Sequence, residues 1–159
     1  MPSFVGCLGK RYCGSGPRVG AGSAKLRAME IIGTRPPSKP GPAEWFTGQV
    51  WLDQIAAVQA PSRLTALSVH FTPGARTAWH THPFGQTLHV LEGVGRCCTR
   101  GGEVQEIRAG DTIRWAPGEE HWHGAAPGHF MTHLALQEAD ESDTTTYWLD
   151  HVSDEDYGA

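Results

Sequence analysis

Turn signals recur at short intervals through the middle of this chain: Thr72-Pro73-Gly74, Arg100-Gly101-Gly102, Ala109-Gly110-Asp111 and Ala116-Pro117-Gly118. Between them lie short runs rich in β-branched, aromatic and aliphatic residues: Trp45 to Ile55, Leu64 to Phe71, Thr87 to Leu91, Gly95 to Thr99, Val104 to Ile107, Asp111 to Trp115 and Phe130 to Gln137. Short strands punctuated at regular spacing specify an all-β sandwich or barrel. Helix is expected to be scarce, and 159 residues suffice for one domain with its own core.

The ends differ from this middle. Residues 1–28 carry Lys10, Arg11, Arg18, Lys25 and Arg27 with no Asp or Glu, are rich in Gly and show no apolar period, so they are read as a disordered extension. Its composition also suits an organellar transit peptide, but the preferred reading is that translation properly starts at Met29, leaving a domain over 29–159 with its core at about 45–138. The Pro-rich run from Thr34 to Glu44 reads as a linker or extended arm, because Pro removes ladder donors. The whole chain has a net charge of −4, and with +5 in the head the remainder is −9. An acidic body argues against nucleic acid as a partner, and no apolar run is long enough for a transmembrane helix. Cys97 and Cys98 are neighbours in a strand and point to opposite faces, so no disulfide between them is expected, and the cytoplasm is the default compartment.

Chemistry concentrates in residues 74–93, GARTAWHTHPFGQTLHVLEG. His80 and His82 are two apart, which places both imidazoles on one face of a strand. Gln86 follows a Pro-Phe-Gly turn and can return to the same point on an antiparallel strand. EEHWHGA supplies His121, with His123 on the same face. A single histidine is ordinarily a solvated or hydrogen-bonded side chain. Five of the nine, however, share one facing parity among apolar residues: His80, His82, His121, His123 and His133. His70, His89, His129 and His151 are assigned the ordinary role. Imidazole nitrogens suit Zn, Mn, Fe, Ni and Cu, and an amide oxygen tilts the choice toward harder ions such as Mn or Fe(II).

These residues resemble the cupin superfamily. Its first motif, a Gly followed by a spaced His, His, Glu and Gly, is matched by Gly74, His80, His82, Gln86 and Gly93, with Gln in place of Glu. The second is matched by Gly110, Gly118 and His121; Ala116 and Ala125 stand where it has Pro and Asn, with Pro117 displaced by one. The resemblance implies a single-domain, jelly-roll-like β-barrel. Within cupins, the segments GPAEWFTG, PGARTAWHTHPFGQTL, PGEEHWHGAAP and MTHLALQE are similar to small bacterial manganese-dependent, (R)-selective hydroxynitrile lyases. That similarity implies Mn(II) on His80, His82, Gln86 and His121, with Fe(II), Zn, Ni or Co as other candidates and with His123 and His133 near the open coordination side.

Gln in place of Glu keeps an oxygen ligand but removes a negative charge, which leaves a divalent ion a stronger Lewis acid and a poorer candidate for oxygen-activating redox cycling. The leading expectation is reversible cleavage of an aromatic cyanohydrin such as mandelonitrile to an aldehyde and HCN. His123 and His133, with unperturbed pKa values near ~6.5, are the candidates for proton transfer. Gln137, on the same strand face as His133, is the candidate for positioning substrate, and Leu67, Val69, Trp115 and Phe84 are expected to shape an aryl pocket. A metal-dependent dioxygenase ranks second and a small-molecule-binding module third; the latter lacks its usual DNA-binding helical companion. A homo-oligomer, dimer or tetramer, is expected from the extended arm and exposed sheet faces.

Overall fold

The computed structural model describes residues 29–33 and 37–158; the basic Gly-rich head and the beginning of the Pro-rich run, 34–36, lie outside them. The chain separates into two units, Met1–Gly33 and Thr34–Ala159. In the first, residues 29–33 are exposed and have no regular structure.

The second unit is built of strands Lys39–Pro40 (β1), Phe46–Thr47 (β2), Val50–Ala56 (β3), Leu64–Phe71 (β4), Arg76–Thr77 (β5), His80–Thr81 (β6), Gln86–Thr99 (β7), Gln105–Arg108 (β8), Thr112–Trp115 (β9), His121–Ala125 (β10), Met131–Glu138 (β11) and Tyr147–Trp148 (β12). One short helix, Asp154–Tyr157 (α1), follows. The strands run in the order β1-β3-β4-β11-β7-β10-β5-β2, with antiparallel pairing throughout, and curl into two sheets joined through β7. The expected all-β barrel is observed, and the strand bounds of β4 coincide with the sequence reading.

One expectation fails instructively. Thr87 to Leu91 and Gly95 to Thr99 were read as two strands, yet they form the single strand β7. Its first half pairs with β9 and β11 in one sheet, and its second half with β8 and β10 in the other. Gly93, at φ +82°, sits at the crossing. A Cβ there would lie 1.9 Å from the Phe130 carbonyl oxygen, so only Gly lets the strand turn this corner. The register against β11 slips at the same place, where Thr132 faces Glu92 but His133 faces Val90. Such a bulge re-aims side chains, here placing His133 inward.

The core lies between the sheets and contains Val50, Val69, Phe71, Leu88, Val90, Trp115 and Met131. Alternation explains most of it: Gln86, Leu88 and Val90 are buried, whereas His89 is turned outward to Thr112. β10 breaks the alternation because both of its faces are covered. His121, His123 and Ala125 point into the barrel, while Trp122 packs with Trp79, Cys98, Val152 and Tyr157 in a second cluster behind it. Cys97 and Cys98 are free thiols in different clusters, as adjacent strand residues must be. Among the described residues, no helix is long and apolar enough to cross a membrane.

Candidate metal centre

β6 and the turn after it carry His80 and His82, β7 begins at Gln86, and β10 begins at His121. His121 pairs directly with His80, so two ligands meet across a ladder. The ligand nitrogens of His80, His82 and His121 lie within 4.8 Å of one another. All three residues are no more than 2% exposed. Each ring is oriented the same way: its Nδ1–H donates to a backbone carbonyl, that of Ala78 for His80 (2.9 Å), Thr145 for His82 (2.7 Å) and Glu119 for His121 (2.8 Å). The tautomer is thereby fixed with Nε2 unprotonated and available to a metal. The buried His82 Nε2 has no hydrogen-bond partner.

Gln86 adds the observation that most favours a cation. Its Oε1 lies 3.1 Å from His121 Nε2. With the His121 proton committed to Glu119, both atoms are acceptors, and a cation placed between them would satisfy both lone pairs. Burial pushes the His121 pKa down to about 3, so a proton is not held there at neutral pH. Three neutral nitrogens and one neutral oxygen fit a divalent first-row ion. Burial, and then the neighbouring His121 and His82, likewise hold His80 well below the ordinary histidine value; burial also lowers His82.

Beside this set lie the three other sequence-predicted residues. His133 Nε2 is 3.2 Å from His123 Nδ1, and Gln86 donates from Nε2 to Gln137 Oε1 at 3.3 Å. The structure therefore brings all seven together. Their titration, however, departs from expectation. His133 is held at about 3 by burial, and His123 is pushed well below its usual value by burial and by His133. Neither is poised near neutrality, because burial disfavours the charged form of both.

A cavity of about 270 Å³ opens onto His80, His82, Gln86, His123, His133 and Gln137. Leu67 and Val69 line it as expected, together with Leu52, Ala135, Phe46, Trp45 and Trp148. Two expected wall residues do not. Phe84 is 53% exposed, because the turn carrying it swings the ring into a separate surface groove. Trp115 instead stacks on His121, with centroids 4.0 Å apart and planes 7° apart, and donates from Nε1 to Thr99 Oγ1. It backs a ligand rather than facing a substrate.

Sequence reading missed the C-terminal wall. Thr145, Thr146 and Trp148 reach the cavity because β12 pairs with β6, setting Trp148 opposite His80. Two aromatic residues, Tyr147 and Trp148, in an otherwise acidic tail were the available signal. The four histidines assigned an ordinary role keep it. His70 bridges Asp53 and Thr132, His89 meets Thr112, His151 meets Thr47, and His129 is exposed.

Residues 67–134 match the Cupin domain family. The chain is 50% identical over 131 residues to an (R)-mandelonitrile lyase of Granulicella tundricola, covering 81% of this chain and 98% of that protein. Among solved structures, a cupin-like protein from Thermotoga maritima superposes with a TM-score of 0.71 at 33% identity, covering 80% of this chain and 95% of that one. A cupin 2 conserved barrel domain protein from Rhodopseudomonas palustris shares the fold, with a TM-score of 0.55 at 18% identity over 74% of this chain and 88% of that one.

Proposed function

The chain belongs to the cupin family, and on that premise we propose that it is a metal-dependent hydroxynitrile lyase that cleaves an aromatic cyanohydrin such as mandelonitrile to an aldehyde and HCN. The observation that carries this reading is one cavity with two kinds of group on its walls: ligands of a candidate metal centre, and the His123–His133 pair. Half-identity to an (R)-mandelonitrile lyase over nearly that protein's whole length supports the choice of substrate.

His80, His82, Gln86 and His121 would hold the ion, with Mn(II) favoured over Fe(II), Zn, Ni or Co by the amide oxygen. Bound there, it supplies Lewis acidity toward the substrate's hydroxyl oxygen. The protein's own groups do the rest. With His123 Nδ1–H donated to His133 Nε2, His123 Nε2 presents a lone pair with no other partner and takes the hydroxyl proton. As the carbonyl forms, the bond to the nitrile carbon breaks and its electron pair leaves with cyanide, which receives the proton from His123 to give HCN. Burial makes an imidazolium costly here, which favours prompt return of that proton. Gln137, whose Oε1 is occupied by Gln86, has its amide N–H group left to donate to the nitrile. Leu52, Leu67, Val69, Ala135 and Trp148 enclose an aryl ring, and a cavity just under the usual ~300 Å³ lower bound for ligand pockets suits a substrate of one ring. The proposal extends to a cytoplasmic homo-oligomer, dimer or tetramer, supported by exposed Trp51, Ile55 and Leu64 on β3 and β4.

Racemic mandelonitrile given to Mn(II)-loaded protein should release benzaldehyde and leave the (S) enantiomer behind on chiral chromatography. Release no faster than from chelator-treated protein would sink the lyase reading, and oxygen uptake without aldehyde would replace it with oxidative chemistry.

A further inference from the structure

The three imidazoles of the metal centre are not held in equal ways. His80 and His121 donate to the carbonyls of Ala78 and Glu119, each only two residues back along its own segment. Those contacts are local and form with the strands themselves. His82 instead donates to the carbonyl of Thr145, 63 residues away, with Thr146 Oγ1 3.5 Å from the same nitrogen. Its orientation depends on a distant segment lying in the right place.

That segment is short and is held on both sides of Thr145, by the Asp140 clasp ahead of it and by backbone bonds to β6 and Trp79 after it. β12 contributes only Tyr147 and Trp148 to its pairing with β6. Ahead of it, the Asp140 carboxylate gathers three donors: Oδ1 accepts the backbone N–H groups of Ser142 (2.8 Å) and Thr144 (3.0 Å), and Oδ2 accepts the Tyr147 hydroxyl (2.6 Å). The Asp140 N–H closes the turn onto the Thr144 carbonyl at 2.9 Å. Thr145 thus sits between two residues clasped by the same carboxylate. Beyond the clasp, Trp148 stacks on Trp45 at 5.2 Å and lies 4.9 Å from the His80 ring. The clasp residues Asp140 and Tyr147, and Thr145 between them, fall outside residues 67–134, the span that matches the cupin family.

We propose that Asp140 and Tyr147 are positioning residues of the metal centre: their hydrogen bond seats the 140–148 segment so that the Thr145 carbonyl fixes the His82 ring with Nε2 turned to the ion. The proposal rests on the metal reading above but not on the identity of the substrate. Neither residue touches the ion. Their influence passes through one backbone carbonyl to one ligand, and loss of such an outer partner typically costs ~10–100-fold in metal affinity.

The test measures Mn(II) affinity by equilibrium titration with the metal alone, alongside melting of the metal-free protein. Asp140→Ala and Tyr147→Phe are expected to weaken Mn(II) binding about tenfold or more, with metal-free melting close to wild type because the clasp is partly solvent-exposed. Excess Mn(II) should restore activity in both. Tyr157→Phe serves as the contrast: it removes a buried hydroxyl bond to the Ala125 carbonyl (2.6 Å) in the same C-terminal stretch, away from His82. It should lower the melting temperature and leave Mn(II) affinity unchanged. Wild-type affinity in both clasp variants overturns the proposal. Absence of Mn(II) binding by the wild type overturns it together with the metal centre. Clasp-dependent Mn(II) binding in a protein that cleaves no cyanohydrin upholds it and refutes only the lyase reading.

Discussion

Gly124 lies in β10 between the ligand His121 and the edge of β5, opposite Arg76. A Cβ at this position would fall 2.4 Å from the Ala75 carbonyl oxygen and 2.6 Å from Arg76 Cα, against about 3.4 Å for an ordinary contact. Gly124→Ala therefore demands a separation of roughly 1 Å between the two strands, an overpacking that costs ~1–3 kcal/mol. β5 cannot easily supply it. Arg76 is buried, donates to the Val152 carbonyl and to Asp154, and lies over the Tyr157 ring. β10 must move instead, and it carries His121 and His123. A shift of that size lowers the melting temperature by roughly 3–10 °C. A misplacement of ~1 Å at the reacting groups costs about 10²-fold in turnover. Differential scanning calorimetry and cyanohydrin cleavage at saturating Mn(II) check the two effects. A variant that melts within about 1 °C of wild type and turns over at the same rate refutes the close approach of β10 and β5.

Three further outcomes follow from the site. Gln86→Glu adds a negative charge at the ion and removes the donor to Gln137 Oε1, so Mn(II) should bind more tightly while kcat falls by about tenfold or more; undiminished turnover contradicts the Lewis-acid role. Burial lowers the pKa of His80, His82, His121, His123 and His133, to about 3 for His121 and His133, whereas the unfolded chain protonates its histidines near ~6.5. The unfolded state then binds more protons as pH falls. The metal-free protein should therefore lose up to ~1.4 kcal/mol per histidine for each pH unit below about 6.5, and equal urea midpoints at about pH 7.5 and pH 5 would contradict this. Trp148→Ala removes a cavity wall and the stack on Trp45, and should raise KM for mandelonitrile roughly three- to tenfold while sparing an aliphatic cyanohydrin, as steady-state kinetics would show.

What could be read from the sequence followed from local rules. Alternation placed Leu88, Val90, Leu67 and Val69 inward, period-two spacing with one turn brought His80, His82 and Gln86 together, and the resemblance to cupins added His121. Features that depend on tertiary neighbours were not legible. The Gly93 corner looks like a turn in one dimension, and only its approach to Phe130 shows that the strand continues. Burial lowers the basicity of His123 and His133, and spacing along the chain carries no information about how deeply a side chain is buried. Phe84 has the composition of a pocket residue but sits on a turn that faces away, and Thr145 acts through its carbonyl, which no side-chain pattern can reveal.

The most direct measurement is to titrate chelator-stripped protein with Mn(II) while recording bound metal and mandelonitrile cleavage in the same samples. Cleavage should rise in proportion to occupancy and reach its limit at one ion per chain, with neither binding nor turnover in His121→Ala. Cleavage by the stripped protein, or full occupancy without cleavage, would contradict a lyase built on His80, His82, Gln86 and His121.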